Sequence, residues 1–217
     1  MKRIVALLGD YYHDEAPARS ALEAAFRAAD LAAGAKLAFI GTDALPQALK
    51  EGAEAVVLFK ENRLDPQAPA PGMWMDEALS DRIAAYVREG GAWLAWHSGL
   101  ASYPAASRYV RMLRGYFLHH PPEHRVVRYE WDGPLRGENE DRGFSFLDEH
   151  YFVQCDEKAT EVFLRSRSDD GESVAGWRHG YGRGKVVCLT PAHHREGLLH
   201  PAFVRALGQS LSWCLSR

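Results

Sequence analysis

The sequence predicts an α/β fold built on a doubly wound, mostly parallel sheet, with additional antiparallel strands in the C-terminal half. Short apolar runs such as Ala55–Phe59 and Ala92–Trp96 lack polar alternation, which is typical of strands buried on both faces. Stretches with helical spacing separate these runs along the first half of the chain. This alternating order predicts parallel strands joined by right-handed crossovers.

In the first half of the chain, strands and helices alternate up to Trp96. The stretch Glu15–Ala33 is rich in alanine, places its apolar residues on one helical face and ends near Gly34, so it predicts a helix. Prolines and a glycine crowd the second half of Glu61–Met73, and we expect a loop over one rim of the sheet there. The predicted strands are Arg3–Leu8, Lys36–Ile40, Ala55–Phe59 and Ala92–Trp96, and the predicted helices are Glu15–Ala33, Leu45–Lys50 and Asp76–Arg88.

The second half of the chain predicts two helices separated by a series of strands. Glycines in Gly180–Gly184 predict a hairpin turn between the last two strands, and the charged, glycine-rich stretch Gly133–Gly143 predicts a loop. No repeat, low-complexity tract or linker divides the sequence, so we expect one domain over residues 1–217. The predicted helices are Ala105–Leu113 and Pro201–Leu215, and the predicted strands are Arg125–Trp131, Phe144–Val153, Glu161–Arg167, Val174–His179 and Lys185–Thr190.

Composition excludes several classes of partner. The formal net charge of −3 gives no electrostatic reason to expect nucleic acid or an anionic membrane. No apolar run approaches the roughly 20 residues that span a bilayer, and Ile4–Leu8 is too short for the core of a signal peptide. Three widely spaced cysteines fit reduced thiols better than a disulfide framework. We therefore expect a cytoplasmic protein.

The chain is organised around Gly90–Ala101, in which a short apolar strand leads directly into His97. A residue at the carboxyl end of such a strand is aimed into the crevice where α/β proteins bind ligands. Residues 95–99, Ala-Trp-His-Ser-Gly, match the turn that presents a catalytic nucleophile, but a histidine stands where cysteine or serine is usual. His97 is therefore a candidate catalytic residue, and the alternative is a structural histidine hydrogen-bonded beneath the following helix.

Two further histidine segments follow predicted elements. His13 follows the carboxyl end of the first predicted strand, as His97 follows the carboxyl end of its own strand. In the pair His119-His120, adjacent residues of an extended chain point in opposite directions, so only one of the two can face a pocket. The alternatives are a flexible loop for His13 and a surface turn, stiffened by prolines, for the pair.

The segment Asp148-Glu149-His150-Tyr151 combines titratable and aromatic side chains. Alternation along an extended chain places Glu149 and Tyr151 on one face, and Asp148 and His150 on the other. On a pocket face, the carboxylate and the phenol would supply an acid or base and an orienting hydrogen bond. The alternative is a charged edge strand.

Five motifs follow one another along the chain: AWLAWHSG, GYFLHHPP, FLDEHYF, VAGWRHGYGRGKVVCLTPAHH and HPAFVRALGQSLSWCL. In these motifs the chain resembles the trehalose-utilisation, or ThuA-like, family. The resemblance implies the class I glutamine amidotransferase-like fold, with a flavodoxin-like core, and a role in the metabolism of trehalose or a related disaccharide. Amidotransferases of this fold carry a cysteine after the central strand, and the family resembled here carries a histidine there, as His97 does.

The resemblance also implies which other residues form the site. In this fold the region after the late strand supplies the catalytic histidine, which implies a catalytic role for His193. The tryptophan of a Trp-Arg motif corresponds to Trp177, which would stack on a sugar ring, with core packing as the alternative. One His-Pro segment of the family pattern is missing, and Pro134–Gly143 stands in its place. The residues that match the remaining motifs are His120, Glu149 and Tyr151.

We expect an enzyme, of hydrolase or lyase type, that acts on a carbohydrate-derived small molecule. Glutamine amidotransfer is disfavoured because no cysteine occurs near His97. The alternative is a non-catalytic carbohydrate-binding or regulatory protein, with Trp177 and Tyr151 as the binding platform. His124, His179 and His200 are expected to be structural or solvent-facing. The predicted catalytic residues are His97, Glu149 and His193, and the predicted substrate-binding residues are His13, His120, Tyr151 and Trp177.

Histidines and a carboxylate are also the ligand set of zinc, manganese or iron(II). A divalent metal bound by His97, His120 and His193 is therefore an open alternative, although its ligands would have to come from separate strands. No nucleotide cofactor is expected. The expected partner is a small-molecule carbohydrate, not nucleic acid or a membrane, and the sequence leaves a homo-oligomer open.

Overall fold

The computed structural model describes residues 1–133 and 142–216, in which a large mixed sheet is covered by helices. The strands are β1 (Lys2–Leu8), β2 (Ala35–Phe39), β3 (Ala55–Phe59), β4 (Ala92–Trp96), β5 (Gly115–His119), β6 (Arg125–Trp131), β7 (Gly143–Asp148), β8 (Phe152–Cys155), β9 (Glu161–Ser168), β10 (Gly171–Tyr181) and β11 (Gly184–Leu189). The helices are α1 (Glu15–Ala28), α2 (Leu45–Lys50), α3 (Glu77–Arg88), α4 (Arg108–Leu113), α5 (Arg195–Leu198) and α6 (Pro201–Leu215).

The large sheet has a parallel half and an antiparallel half. Over the described ranges its order is β2-β1-β3-β4-β11-β10-β9-β6-β7, and the first five of these strands run parallel to one another. The other neighbours pair antiparallel, and β5 and β8 form a separate two-stranded sheet. The prediction of an α/β fold with a large sheet and extra antiparallel strands in the C-terminal half is confirmed.

Helices cover both faces of the parallel half. Helices α1 and α6 pack on one face with Leu94 and Trp96 of β4, while α2, α3 and α4 pack on the other face with Trp93 and Ala95. Strand β4 lies between β3 and β11, and all of its residues are buried. Its sequence is apolar without interruption because neither of its faces meets water. Within the part of the chain that the structure describes, no helix is long and apolar enough to cross a membrane.

Two predicted elements end five residues earlier in the structure than in the prediction. The helix predicted over Glu15–Ala33 ends at Ala28, because Asp30 adopts a left-handed backbone (φ 51°) and a separate 3-10 turn follows it. The single strand predicted over Phe144–Val153 is wrong, because the chain leaves β7 after Asp148 and enters β8 only at residue 152. The predicted loop Gly133–Gly143 falls mostly on residues 134–141, which lie outside the described residues.

Asp148, the last residue of β7, ties the two halves of the sheet together. Its fully buried carboxylate accepts hydrogen bonds from the backbone N–H groups of Ala192 and His193, both at 2.8 Å, and from the Tyr129 hydroxyl at 2.7 Å. Ala192 has a φ of 84°, a conformation that an L-residue keeps only with such support. Because each of these donors replaces water, the carboxylate can remain buried and fixes the chain that leaves β11.

The turn after β4 rests directly on the backbone of β3. His97–Leu100 form one turn of 3-10 helix, and His97 itself has a φ of 47°. A Cβ atom at Gly99 would lie 2.3 Å from the carbonyl oxygen of Leu58 in β3. Glycine is therefore required at position 99, because only a residue without a side chain allows this close approach.

We expect the substitution Asp148→Ala to lower the free energy of unfolding by about 3–5 kcal/mol, because three donors, two of them buried, lose their common acceptor. Tyr129→Phe removes only one of the three hydrogen bonds and is expected to cost about 1–2 kcal/mol. Urea unfolding followed by tryptophan fluorescence measures both values. Equal losses in the two variants would contradict the assignment of Asp148 as the shared acceptor.

We expect Gly99→Ala to lower the free energy of unfolding by about 1–3 kcal/mol, because its methyl group would overlap a backbone oxygen that cannot move freely. Gly34→Ala is the matched control, since a Cβ atom at Gly34 meets nothing within 4 Å. The control should stay within about 1 kcal/mol of the parent protein. The same urea titration measures both variants, and a Gly99→Ala protein as stable as the control would refute the close approach.

Candidate active site

His97 is held at the carboxyl end of β4 with its ring orientation fixed. The side chain is fully buried, and its Nδ1–H donates to the carbonyl oxygen of Thr190 at 2.7 Å. The ring stacks on Tyr151, with 4.0 Å between ring centroids, and lies 5.9 Å from the ring of Phe59. The remaining nitrogen, Nε2, faces His193 Nδ1 at 3.3 Å. His97 therefore presents Nε2 to the site.

Glu149 stands at the centre of the site and approaches four histidines. Its Oε2 lies 3.1 Å from His193 Nδ1 and 3.5 Å from His97 Nε2. Its Oε1 lies 3.8 Å from the Nε2 atoms of both His120 and His124. The side chains of His120 and His124 are 34% and 32% exposed, whereas that of His97 is fully buried. The carboxylate thus separates a buried inner side, with His97 and His193, from a partly exposed outer side, with His120 and His124.

His13, from the loop after β1, also belongs to the inner side. Its ring centroid lies 5.0 Å from that of His97 and 4.6 Å from that of His193. Its Nδ1 lies 2.6 Å from Asp10 Oδ1, and burial, which would raise the pKa of Asp10, is outweighed by His13 and backbone donors that lower it to about 2. Asp10 is therefore a carboxylate that accepts the Nδ1–H, and His13 Nε2 is left buried without a hydrogen-bond partner.

The charges of the inner side shift the pKa values of its members. Burial would raise the pKa of Glu149, but hydrogen bonds and charge from His193 and His97 outweigh it and hold that pKa below its usual range. Burial would lower the pKa of His97, but the contact with Glu149 and the charge of Asp148 raise it overall. Burial lowers the pKa of His13 more than Asp10 raises it. The inner side therefore keeps Glu149 ionised and favours a positive charge beside it.

The structure brings most of the predicted site residues together. His97 and His193 follow the neighbouring parallel strands β4 and β11, so both reach the same edge of the sheet. His13 and Tyr151 are buried and contact the ring of His97. The residues that lie around this one site are His13, His97, His120, Glu149, Tyr151 and His193.

Trp177 does not belong to the site, and its prediction as a substrate-binding residue is corrected. The side chain is fully buried in the apolar layer on the α3 and α4 face of the sheet. Its indole N–H donates to the carbonyl oxygen of Leu113 at 2.8 Å. Packing and this hydrogen bond account for the tryptophan, and no face of its ring is available to a sugar.

His124, which was expected to be structural or solvent-facing, is partly exposed and also lies beside Glu149, whereas the other two histidines in that group lie elsewhere. His124 precedes β6 and Glu149 follows β7, and the antiparallel pairing of these strands brings the two residues side by side. His179 bonds to the carbonyl oxygen of Met112, and His200 caps helix α6. The pairing of Arg125–Trp131 with the following strand is the signal that could have placed His124.

Three more residues of the site were not predicted for it. Asp10 orients His13, and its position two residues after the first strand is the signal that could have indicated this role. His194 hydrogen-bonds to His124, with 2.8 Å between the two ring nitrogens. Asp148 was assigned to the face opposite Glu149, and it supports the site from behind through the backbone of His193.

The arrangement is suited to proton transfer or to metal binding. Imidazole groups exchange protons near neutral pH, and imidazole and carboxylate groups are ligands that zinc and similar ions prefer. Among the described residues, two groups bring ligand atoms within 4.8 Å of one another. These groups are His13, His97, Glu149 and His193 on the inner side, and His124, His193 and His194 towards the surface.

A large cavity of about 650 Å³ lies elsewhere, around Tyr86. It is lined by Glu54 and Gly91, which precede β3 and β4, so it lies at the amino ends of these strands. Ligand sites of α/β sheets lie at the opposite, carboxyl ends, where the histidines converge. The histidine cluster is therefore the candidate functional site.

Solved structures with the same fold include two ThuA-like proteins. One, from Parabacteroides merdae, superposes with a TM-score of 0.73 at 12% identity, over 98% of this chain and 89% of that chain. The other, from Bacteroides uniformis, has a TM-score of 0.70 at 17% identity, over 100% of this chain and 92% of that chain. A protein from Salmonella typhimurium described as cytoplasmic has a TM-score of 0.59 at 12% identity, over 98% of both chains. At these identities the likeness shows the fold.

The sequence itself matches a family model. No curated protein sequence matches this chain. The model of the ThuA family, described as trehalose utilisation, matches residues 9–214 and so includes every residue of the histidine cluster. This match confirms the resemblance that the motifs around His97, His120 and His193 indicated. The chain belongs to the ThuA (trehalose utilisation) family.

Proposed function

We propose that this chain is an enzyme that acts on a carbohydrate-derived small molecule, with Glu149 and its histidines as the reaction centre. The family's association with trehalose utilisation supports a carbohydrate substrate. The observation that carries the proposal is the approach of one carboxylate to four imidazoles, two on the inner side and two on the outer side. Titratable groups gathered with shifted pKa values are typical of catalytic sites.

The two sides of Glu149 support two different roles, contact with the substrate on the outer side and support of the carboxylate on the inner side. His120 and His124 are partly exposed beside Oε1, so they are placed to meet a substrate and to exchange protons with it. His97 and His193 lie behind the carboxylate and hold its Oε2. Hydrolysis and elimination both need one proton removed and another delivered, and two imidazoles beside an ionised carboxylate can serve both transfers.

Two other activities receive less support from the site. A glutamine amidotransferase needs a nucleophilic cysteine at the position of His97, and Cys188 and Cys214 are buried in the apolar layers on the two faces of the sheet. A protein that only binds carbohydrate would use exposed aromatic rings, but Trp177 and Tyr151, the rings predicted for that role, are both buried. The titratable cluster therefore favours catalysis over binding alone.

The same proposal includes a flavodoxin-like core and a cytoplasmic location. The order β2-β1-β3-β4-β11 of the parallel strands, with helices on both faces, supports the flavodoxin-like arrangement. Three free cysteines and the likeness to a protein described as cytoplasmic support a reducing compartment.

We expect the parent protein to convert at least one member of a panel of trehalose, related disaccharides and their oxidised or phosphorylated derivatives. Glu149→Gln keeps the shape of the side chain but removes its charge, so it should lower kcat/KM by roughly 100-fold or more. His120→Asn should lower kcat by a similar factor, because it removes a proton-transferring group from the outer side. Product formation is followed by mass spectrometry and by reducing-sugar assay.

His200→Asn is the matched control for the histidine substitution. Asparagine also caps helices, so this variant should keep the helix start at α6 and the activity of the parent protein. Thermal shift with the same panel separates binding from turnover. If the parent protein binds a sugar derivative but converts none of the panel, the proposed enzymatic activity is wrong and the binding-protein alternative is favoured.

A further inference from the structure

We infer that the inner side of the site holds one divalent transition-metal ion of the zinc type, bound by His13 Nε2, His97 Nε2, His193 Nδ1 and Glu149 Oε2. The inference deepens the proposed function, since it assigns a cofactor to the same reaction centre. Bound there, such an ion supplies Lewis-acid polarisation of a substrate oxygen. The ligand set differs from that expected from the sequence, because His13 and Glu149 take part and His120 does not.

The spacing of the donor atoms fits a single ion. In a tetrahedral zinc site with bonds of about 2.1 Å, neighbouring ligand atoms lie about 3.4 Å apart. The three measured distances between His97 Nε2, His193 Nδ1 and Glu149 Oε2 are 3.3, 3.5 and 3.1 Å. The fourth residue, His13, offers its ligand atom within 4.8 Å of all the others.

The outer hydrogen bonds of the histidines orient free nitrogens towards a common point. His97 donates from Nδ1 to a backbone carbonyl, and His13 donates from Nδ1 to the Asp10 carboxylate. Each ring is thereby left with an unprotonated Nε2 when neutral, which is the tautomer that binds metal. A metal-binding histidine almost always has such a partner on its other nitrogen. The backbone N–H of His193 donates to Asp148, which positions this third histidine beside His97 and Glu149.

Hydrogen bonding within the cluster does not satisfy all of its polar atoms. His13 Nε2 is buried and has no hydrogen-bond partner, which costs about 1–3 kcal/mol for an ordinary polar group. His193 Nδ1 faces both His97 Nε2 and Glu149 Oε2, but a single N–H can point at only one of them. A metal ion would use the lone pairs of all four atoms at once.

The surrounding charge also fits a cation. The carboxylates of Asp10 and Glu149 contact the inner histidines, and the carboxylate of Asp148 accepts a hydrogen bond from the backbone of His193. A divalent ion would balance this negative charge at the point where the imidazole nitrogens converge. Three nitrogens and one carboxylate oxygen, without a thiolate, form a donor set suited to zinc and also to iron(II) or manganese.

The inference is tested by metal analysis of the purified full-length chain and by titration of the chelator-treated protein with zinc chloride. We expect about one ion per chain, and we expect His13→Asn to raise the Kd for zinc at least about 100-fold. Cobalt(II) added to the metal-free parent protein should give the visible absorption of a tetrahedral site. His200→Asn is the matched control and should bind zinc as the parent protein does.

Three results would overturn the inference: no stoichiometric ion in the parent protein and no zinc uptake, binding unchanged in both His13→Asn and Glu149→Gln, or no tetrahedral cobalt spectrum. Circular dichroism shows whether each variant is folded, and if neither folds, the zinc and cobalt titrations of the parent protein decide. Turnover of a sugar derivative by metal-free protein would show that the ion is not a cofactor of the reaction, and the proposed enzyme would stand without it. Zinc binding without any turnover would support the metal site and contradict the proposed enzymatic activity.

Discussion

The buried carboxylate of Asp148 is the contact on which the rest of the site depends. It accepts hydrogen bonds from a tyrosine hydroxyl of β6 and from two backbone N–H groups that follow β11. These bonds join the antiparallel half of the sheet to the end of the parallel half. Glu149 is the next residue in the chain and His193 carries one of the bonded N–H groups. The same hydrogen bonds that stabilise the fold therefore set Glu149 opposite His193 and His97.

Glu149 gives the site two chemically different sides. Its inner oxygen meets His193 and also His97, whose other ring nitrogen is bonded to the carbonyl oxygen of Thr190, and its outer oxygen meets two histidines that solvent can reach. A mostly buried carboxylate is costly unless charge and hydrogen bonds compensate it, so the inner histidines also stabilise Glu149 in the fold. An ion on the inner side and proton transfer on the outer side are compatible, because they use different oxygens of one side chain.

Much of the fold could be predicted because hydrophobic patterns are local. The bounds of β3, β4, α2 and α6 match the predictions, since an apolar run or an amphipathic repeat defines each of them without reference to the rest of the chain. The segment around Asp148 could not be predicted in the same way. Its residues continue a strand-like pattern, but the buried hydrogen bonds of Asp148 and the stacking of Tyr151 on His97 take the backbone out of the strand.

The sequence by itself determined that His97 would directly follow a buried strand and that His193 would come shortly after another, because such ends are marked by the change from apolar to polar residues. It also indicated His120 and Glu149 through motifs. Only the tertiary structure decided that His124 lies beside Glu149, that Trp177 is a core residue and that Asp10 orients His13. These outcomes depend on strand pairing and on packing between residues far apart in the chain, and neither leaves a periodic signal in the local sequence.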